Sequence, residues 1–337
     1  MPKANDKQTT AQSRFDLAWQ AAASQVASAN LPGLMVECPQ CGVEGTAFSK
    51  WIPKSPTKPL FIVHTNGNGF FKACSLSKEE SIAVRSAVDL RRSDAARTLR
   101  LGRPFVLFSG GKDSLCLLHY MKTIAARKDV EITALHADTT AGFPEVEDYV
   151  HKVCKKLKVP LVVVRPSHDY FQIAKRWGIP GIRARWCCET LKVAPIRRYL
   201  DLIDEPKVVY DGIRAAESNI RATYNPIWYH PAFRCISISP IFGWSDAEAD
   251  RYIARHRLPK SPAADLGTSS ECWCGAYKCR LDFEKLLEVH PEIFDKLVDV
   301  ERAQRGRYTF VYEEGRRIRL TEVRKKVARR TKRASGE

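Results

Sequence analysis

Residues 105–115, Phe-Val-Leu-Phe-Ser-Gly-Gly-Lys-Asp-Ser-Leu, constrain the fold more than any other stretch of the 337-residue chain. Phe105 to Phe108 form a short apolar run, the pattern of a strand buried on both faces. Ser109-Gly110-Gly111-Lys112-Asp113-Ser114 then turns, and Leu115, Leu118 and Met121 follow at helical spacing. A strand, a glycine turn and a helix start gather backbone N–H groups around one point, an anion site to which Lys112 adds a charge. The two glycines let the backbone come close to that anion. The Walker spacing G-x-x-x-x-G-K-[ST] is absent. The plainer alternative is a glycine turn capped by Asp113 or Ser114.

The next segments alternate. Ile132–Ala137 reads as a strand, 145–158 as a helix, Leu161–Val164 as a strand and 168–177 as a helix. Strand–helix alternation with short connections implies a parallel, doubly wound α/β sheet, whose ligands sit beyond the carboxyl ends of the strands. The 109–114 loop and Asp138 both fall at that edge. Asp138 is a candidate for Mg²⁺ or a ribose, or else a helix cap. Lys112, Arg183, Arg185, Lys192, Arg214 and Arg221 come from separate segments that meet there, with Glu217 able to orient an arginine; such forks grip phosphate.

The Ser-Gly-Gly-Lys-Asp-Ser loop resembles that of the PP-loop pyrophosphatases, the adenine nucleotide α-hydrolase superfamily. Asp138-Thr139 with Phe143-Pro144-Glu145, Arg185 to Pro195, Gly212 to Arg221 and Ser239 to Ser245 are similar, in family order, to segments of phosphoadenylylsulfate (PAPS) reductases. The resemblance implies a PP-loop, HUP-like nucleotide domain. It implies ATP or a related adenosine phosphate with Mg²⁺, held by Ser109, Gly110, Gly111, Lys112, Asp113, Ser114, Asp138, Arg185, Lys192, Gly212, Arg214, Glu217 and Arg221. Lys112, Asp113 and Asp138 are the catalytic candidates.

Eleven cysteines without an export signal read as metal ligands or thiols rather than disulfides. Cys38-Pro-Gln-Cys41-Gly42 has the spacing that clamps one face of a tetrahedral metal. With His64 and Cys74 it resembles a small zinc ribbon, which has almost no core of its own. Cys187-Cys188 is followed, after 83 residues, by Cys272-Trp-Cys274 and Cys279. Sulfonucleotide reductases of the iron–sulfur branch hold a 4Fe–4S cluster with an adjacent pair and a later pair, and sulfur-inserting PP-loop enzymes use a similar late group. Here three late thiols and one of the 187–188 pair would complete a four-thiolate site for iron–sulfur or zinc, with unliganded cysteines as the alternative. Cys116, Cys154 and Cys235 lie in apolar elements and read as core. The Glu-Cys-Gly-x-His motif that carries the thioredoxin-dependent reductase nucleophile has no counterpart after Cys279.

The formal net charge is +17, of which +9 lies between Arg316 and Arg333. A run of this kind contacts a polyanion or keeps a tail soluble. The expected organisation is an N-terminal helix (1–33), the ribbon-like module (34–76), the nucleotide domain (77–260), a cysteine-containing helical region (261–315) and a basic tail (316–337). Within it, residues 77–100 read as one helix opened by a Ser77–Glu80 capping box, and Tyr308–Val311 as a short strand. With no membrane span and a polar start, the expected location is the cytoplasm. The expected function is ATP-pyrophosphatase or sulfurtransferase chemistry linked to nucleic acid, which the tail and the zinc module would contact, within or without a protein complex. The alternatives are a sulfite-forming PAPS or adenylylsulfate reductase, and a non-catalytic accessory of a nucleoprotein or CRISPR-associated defence complex.

Overall fold

A computed structural model describes residues 4–50, 59–65, 71–182, 184–265, 272–305 and 307–335. The N-terminal part holds α1 (Ala4–Ser28), β1 (Met35–Glu37), β2 (Glu44–Lys50), β3 (Leu60–Thr65), β4 (Phe71–Ser75), α2 (Lys78–Ala87) and α3 (Arg92–Thr98). The central part follows as β5 (Arg103–Leu107), α4 (Lys112–Ala126), β6 (Thr133–Ala137), α5 (Pro144–Leu157), β7 (Leu161–Val164) and α6 (Tyr170–Trp177). A π-helical turn, Cys188–Val193, then runs into α7 (Ala194–Leu200). Next come β8 (Lys207–Tyr210), α8 (Asn219–Ala222), β9 (Ile227–His230), β10 (Cys235–Ile238), α9 (Asp246–His256) and α10 (Pro262–Asp265). The chain continues through α11 (Arg280–Val289), α12 (Pro291–Ala303), β11 (Val311–Glu313), β12 (Arg316–Ile318) and α13 (Leu320–Ser335).

Among the described residues one sheet of ten strands organises the fold, in the order β4-β3-β2-β9-β10-β8-β5-β6-β7 with β1 on β2. Strands β10, β8, β5, β6 and β7 are parallel, as the alternation requires. From β5 the chain steps outward through β6 and β7, then returns to lay β8 on the other side of β5. The β5–β8 boundary is therefore the topological switch point, where open α/β sheets bind ligands. Successive β5 residues serve opposite layers. Phe105 packs with Leu135, Val209 and the α7 residues Ile196 and Leu200. Val106 and Phe108 pack with Leu115, Leu118 and Met121 of α4.

The ribbon-like strands are not free-standing. Strand β2 pairs in parallel with β9 at Ser49↔Trp228 and Lys50↔Tyr229, so the module extends the central sheet. One face is covered by α1, whose Trp19 packs against Phe48, Phe61 and Phe71. On the other, Ala47, Leu60 and Ile62 pack with Leu76 and with Val84 of α2. The expected single helix over 77–100 is two. The Ser77–Glu80 capping box forms, but the helix stops at Ala87 and a new one starts at Arg92. Buried Asp94 causes the break. Its carboxylate accepts from Arg91 N and from Gly33 N, and a Cβ on Gly33 would lie 2.0 Å from Asp89 O.

The basic C-terminal segment is folded too. Arg316–Ile318 pairs with Val311–Glu313, so the short strand lies just beyond the expected Tyr308–Val311. Helix α13 buries Leu320 and Val323 completely. Its Arg330 pairs with Glu284 of α11, and its Arg324 with Asp295 of α12. Among the described residues, no helix is long and apolar enough to cross a membrane.

Candidate functional site

At the end of β5 the chain turns through Gly110, whose φ of +87° favours glycine, and whose place a Cβ would bring within 2.7 Å of Val146. Gly111 is the N-cap of α4. The first turn of α4 offers N–H groups that have no acceptor within the helix, and this end carries positive dipole. Ser109 and Ser114 hydroxyls lie 3.1 Å apart, and Ser114 donates to Gly111 O. Buried His136, unremarked in the sequence, steadies the loop: its Nδ1 donates to Phe108 O at 2.7 Å while Nε2 meets Glu147. Gly212, just past β8, approaches so closely that a Cβ there would lie 3.2 Å from Asp113 C and Ser114 N.

Arg214 and Asp113 are already committed to each other. The Arg214 side chain is 3% exposed, and its fork meets both Asp113 oxygens at 2.9 and 3.0 Å. It also donates to Asp246 at 2.8 Å and to Trp244 O. Burial pushes the Asp113 carboxyl up, and the Arg214 fork works against that rise. Lys112 spans to two α9 carboxylates, Asp246 at 3.3 Å and Asp250 at 3.1 Å. Partial burial opposes its charge, but these two partners hold the ammonium above its usual range. Asp246 and Asp250 escaped sequence reading because nothing local marks them; only the packing of α9 on α4 brings them to the loop.

The remaining candidates are dispersed along the same edge. Asp138 receives Arg165 Nε at 2.7 Å and caps Thr140 N. Glu217 accepts from Arg214 N at 2.8 Å and pairs with Arg221. Arg185 and Lys192 are exposed. Arg183 lies outside the described residues.

Two sulfur groups form. Cys38, Cys41 and Cys74 place their sulfurs within 4.8 Å of one another. His64 Nε2 joins them, 3.4 Å from Cys41 and 3.8 Å from Cys74. Tetrahedral zinc with Zn–S of about 2.3 Å sets its sulfurs about 3.8 Å apart, and Cys41 and Cys74 are 3.8 Å apart. The three sulfurs fit one ion, and His64 stands beside two of them. The second group takes both members of the adjacent pair and two late thiols. Cys274 Sγ lies 3.6 Å from Cys187 and 3.6 Å from Cys272. Cys188, beside Cys187, pushes the Cys187 thiol up to about 12. Cys279 is instead the exposed N-cap residue of α11, so the expected three-plus-one set is two-plus-two. The group adjoins the β6 exit loop, through the Gly142–Cys272 bridge and Trp273 N donating to Ala141 O. Cys188 opens the π-helical turn, a feature frequent at functional sites. Cys116, Cys154 and Cys235 are core residues, as expected.

The model of the phosphoadenosine phosphosulfate reductase domain matches residues 103–280. The chain is 29% identical over 203 residues to an uncharacterized protein of Methanocaldococcus jannaschii, covering 58% of this chain and 41% of that one. It is 26% identical over 176 residues to adenosine 5'-phosphosulfate reductase of Bacillus cereus, covering 51% and 71%. The chain spans less than half the length of the archaeal relatives it matches. Among solved structures, PAPS reductase from Candida auris in a phosphate complex has a TM-score of 0.45 at 22% identity, over 59% of this chain and 97% of that one. The U34-tRNA thiolase of Methanococcus maripaludis with its [4Fe-4S] cluster has 0.39 at 16%, over 68% and 81%.

Proposed function

Because the chain belongs to the phosphoadenosine phosphosulfate reductase domain family, we propose that it binds ATP or a related adenosine phosphate at the β5–β8 switch point and activates a substrate by releasing pyrophosphate. The observation that carries this reading is the 109–114 turn, with Lys112 at its tip and Gly212 bringing the β8 exit against the first turn of α4. A substrate oxygen attacks the α-phosphorus of ATP, the α–β bridging bond breaks, and pyrophosphate leaves. Lys112 and the α4 N-terminus stabilise the charge that develops on it. Mg²⁺ enters with the nucleotide, and a sulfur nucleophile then displaces the adenylate. Arg214 acts here by fixing Asp113 and α9 rather than by gripping phosphate itself.

Zinc would be held by Cys38, Cys41, His64 and Cys74, and would tie β1–β2 to β3 and β4. An iron–sulfur cluster would be held by Cys187, Cys188, Cys272 and Cys274, where it would supply sulfur or electron chemistry. The acceptor is nucleic acid, with the basic face of α13 and the zinc module meeting its phosphates. A second reading, reduction of a sulfonucleotide to sulfite, is favoured by the family itself.

Protein purified anaerobically and given ATP should release pyrophosphate when a nucleic acid is present. Sulfite from adenylylsulfate or PAPS with thioredoxin would establish the second reading instead. Nucleotide binding without turnover of any of them would leave an accessory role in a nucleoprotein complex.

A further inference from the structure

A row of exposed aromatic rings borders the second sulfur group. Trp177 at the end of α6 is 56% exposed, Tyr308 55% and Tyr277 54%. They are linked. Trp177 stands edge-on to Trp186 with centroids 6.1 Å apart. Trp186 Nε1 donates to Gly178 O, and a Cβ on Gly178 would lie 3.9 Å from Tyr308. At the other end, the Arg185 guanidinium lies 5.5 Å over the Tyr277 ring. The row abuts the sulfurs: Trp186 precedes Cys187 and stacks on Tyr170, whose hydroxyl donates to Cys274 O.

The charge beside this row is mainly positive. The described residues of 175–188 and 305–312 carry five Lys or Arg and no Asp or Glu, while Arg302 is answered by Asp299, and Glu189 and Glu314 lie just outside. Large rings held in water beside arginines form a surface that stacks flat, apolar, anionic partners. Unpaired bases have such faces free, and their phosphates answer the arginines. In a duplex the faces are covered by neighbouring pairs, leaving only groove edges and backbone.

We infer that this wall binds a single-stranded segment of nucleic acid, with bases stacked on Trp177, Tyr277 and Tyr308 and phosphates on Arg176, Arg305 and Arg307. The inference rests on the nucleic-acid reading above and deepens it: the acceptor base is presented unpaired, next to Cys187 and Cys188. An apolar protein partner would have no need of the excess positive charge.

Fluorescence anisotropy of the full chain with labelled dT and rU 20-mers, and with a 20-base-pair duplex, tests it. The single strands should bind tighter than the duplex, and their order decides between DNA and RNA. Trp177→Ala and Tyr308→Ala should each weaken single-strand binding about tenfold, with duplex binding and the salt slope unchanged. Arg305→Ala with Arg307→Ala should flatten the salt slope. These side chains are exposed, and circular dichroism confirms that the variants fold. Equal affinity for strand and duplex, or aromatic variants that bind like the parent, would overturn the wall while leaving the nucleic-acid reading intact. Failure of every oligonucleotide to bind would overturn both.

Discussion

Arg214 and Asp113 lie 101 residues apart in the chain and meet in a two-pronged ion pair at 2.9 and 3.0 Å. The pair ties the exit of β8 to the first turn of α4, and through Asp246 to α9. Removing Arg214 leaves the Asp113 charge desolvated and unpaired. Arg214→Ala should therefore cost about 3 kcal/mol or more of stability, read from urea unfolding. Arg214→Lys should recover only part, since an ammonium cannot match both oxygens. A parent-like midpoint for Arg214→Ala would show that the pair is incidental.

Lys112 differs, because it is partly exposed and its two partners lie on one helix. Lys112→Ala should weaken ATP binding at least tenfold by calorimetry and change stability by less than about 1 kcal/mol. Unchanged affinity would remove the 109–114 loop from the nucleotide site.

Metal analysis of the full chain should find zinc that is lost on Cys41→Ala or His64→Ala, and chelation should lower the melting temperature. The sheet edge has its own packing through Trp19, so loss of zinc should loosen β1–β4 without unfolding the nucleotide domain. Exchange of backbone amides reads this difference. Parent-like zinc content in Cys41→Ala would assign the metal elsewhere.

Helix α13 changes how the basic segment must be tested. Deleting it would strip Leu320 and Val323 from the core, so a truncation mixes folding with binding. Neutralising exposed Lys325, Lys326 and Arg329 to Gln leaves the packed face alone. On duplex DNA, the slope of log affinity against log salt should shrink by up to about 0.9 for each phosphate these side chains neutralise. Equal slopes would make the charge a matter of solubility.

His119 of α4 packs on Tyr252 and His256 of α9, its Nδ1 2.9 Å from the Tyr252 hydroxyl. Burial, then the neighbouring His256, holds its pKa below the usual histidine value. The folded state thus takes up this proton less readily than the unfolded chain. The contribution is intact above about pH 6.5 and is lost as pH falls below it. The urea midpoint should drop over that range, and less so in His119→Gln. An identical drop in the variant would place the sensitivity in other groups.

Elements whose signals are local were legible in the chain alone. The 105–115 stretch specifies strand, turn and helix because apolar runs, paired glycines and helical spacing act within a few residues. The alternation through Val164 dictates a parallel sheet for the same reason, and the Cys38–Cys41 knuckle is set by two intervening residues. Relationships that need distant segments to meet waited on the folded molecule. These are the joining of the ribbon strands to β9, the break between α2 and α3 imposed by Asp94 on Gly33, and the choice of Cys272 and Cys274 over Cys279. The commitment of Arg214 to Asp113 and of Lys112 to Asp246 and Asp250 belongs with them. A charged side chain declares its type in the sequence, but its partner is fixed by which helices pack together, and that is set by burial across the whole sheet.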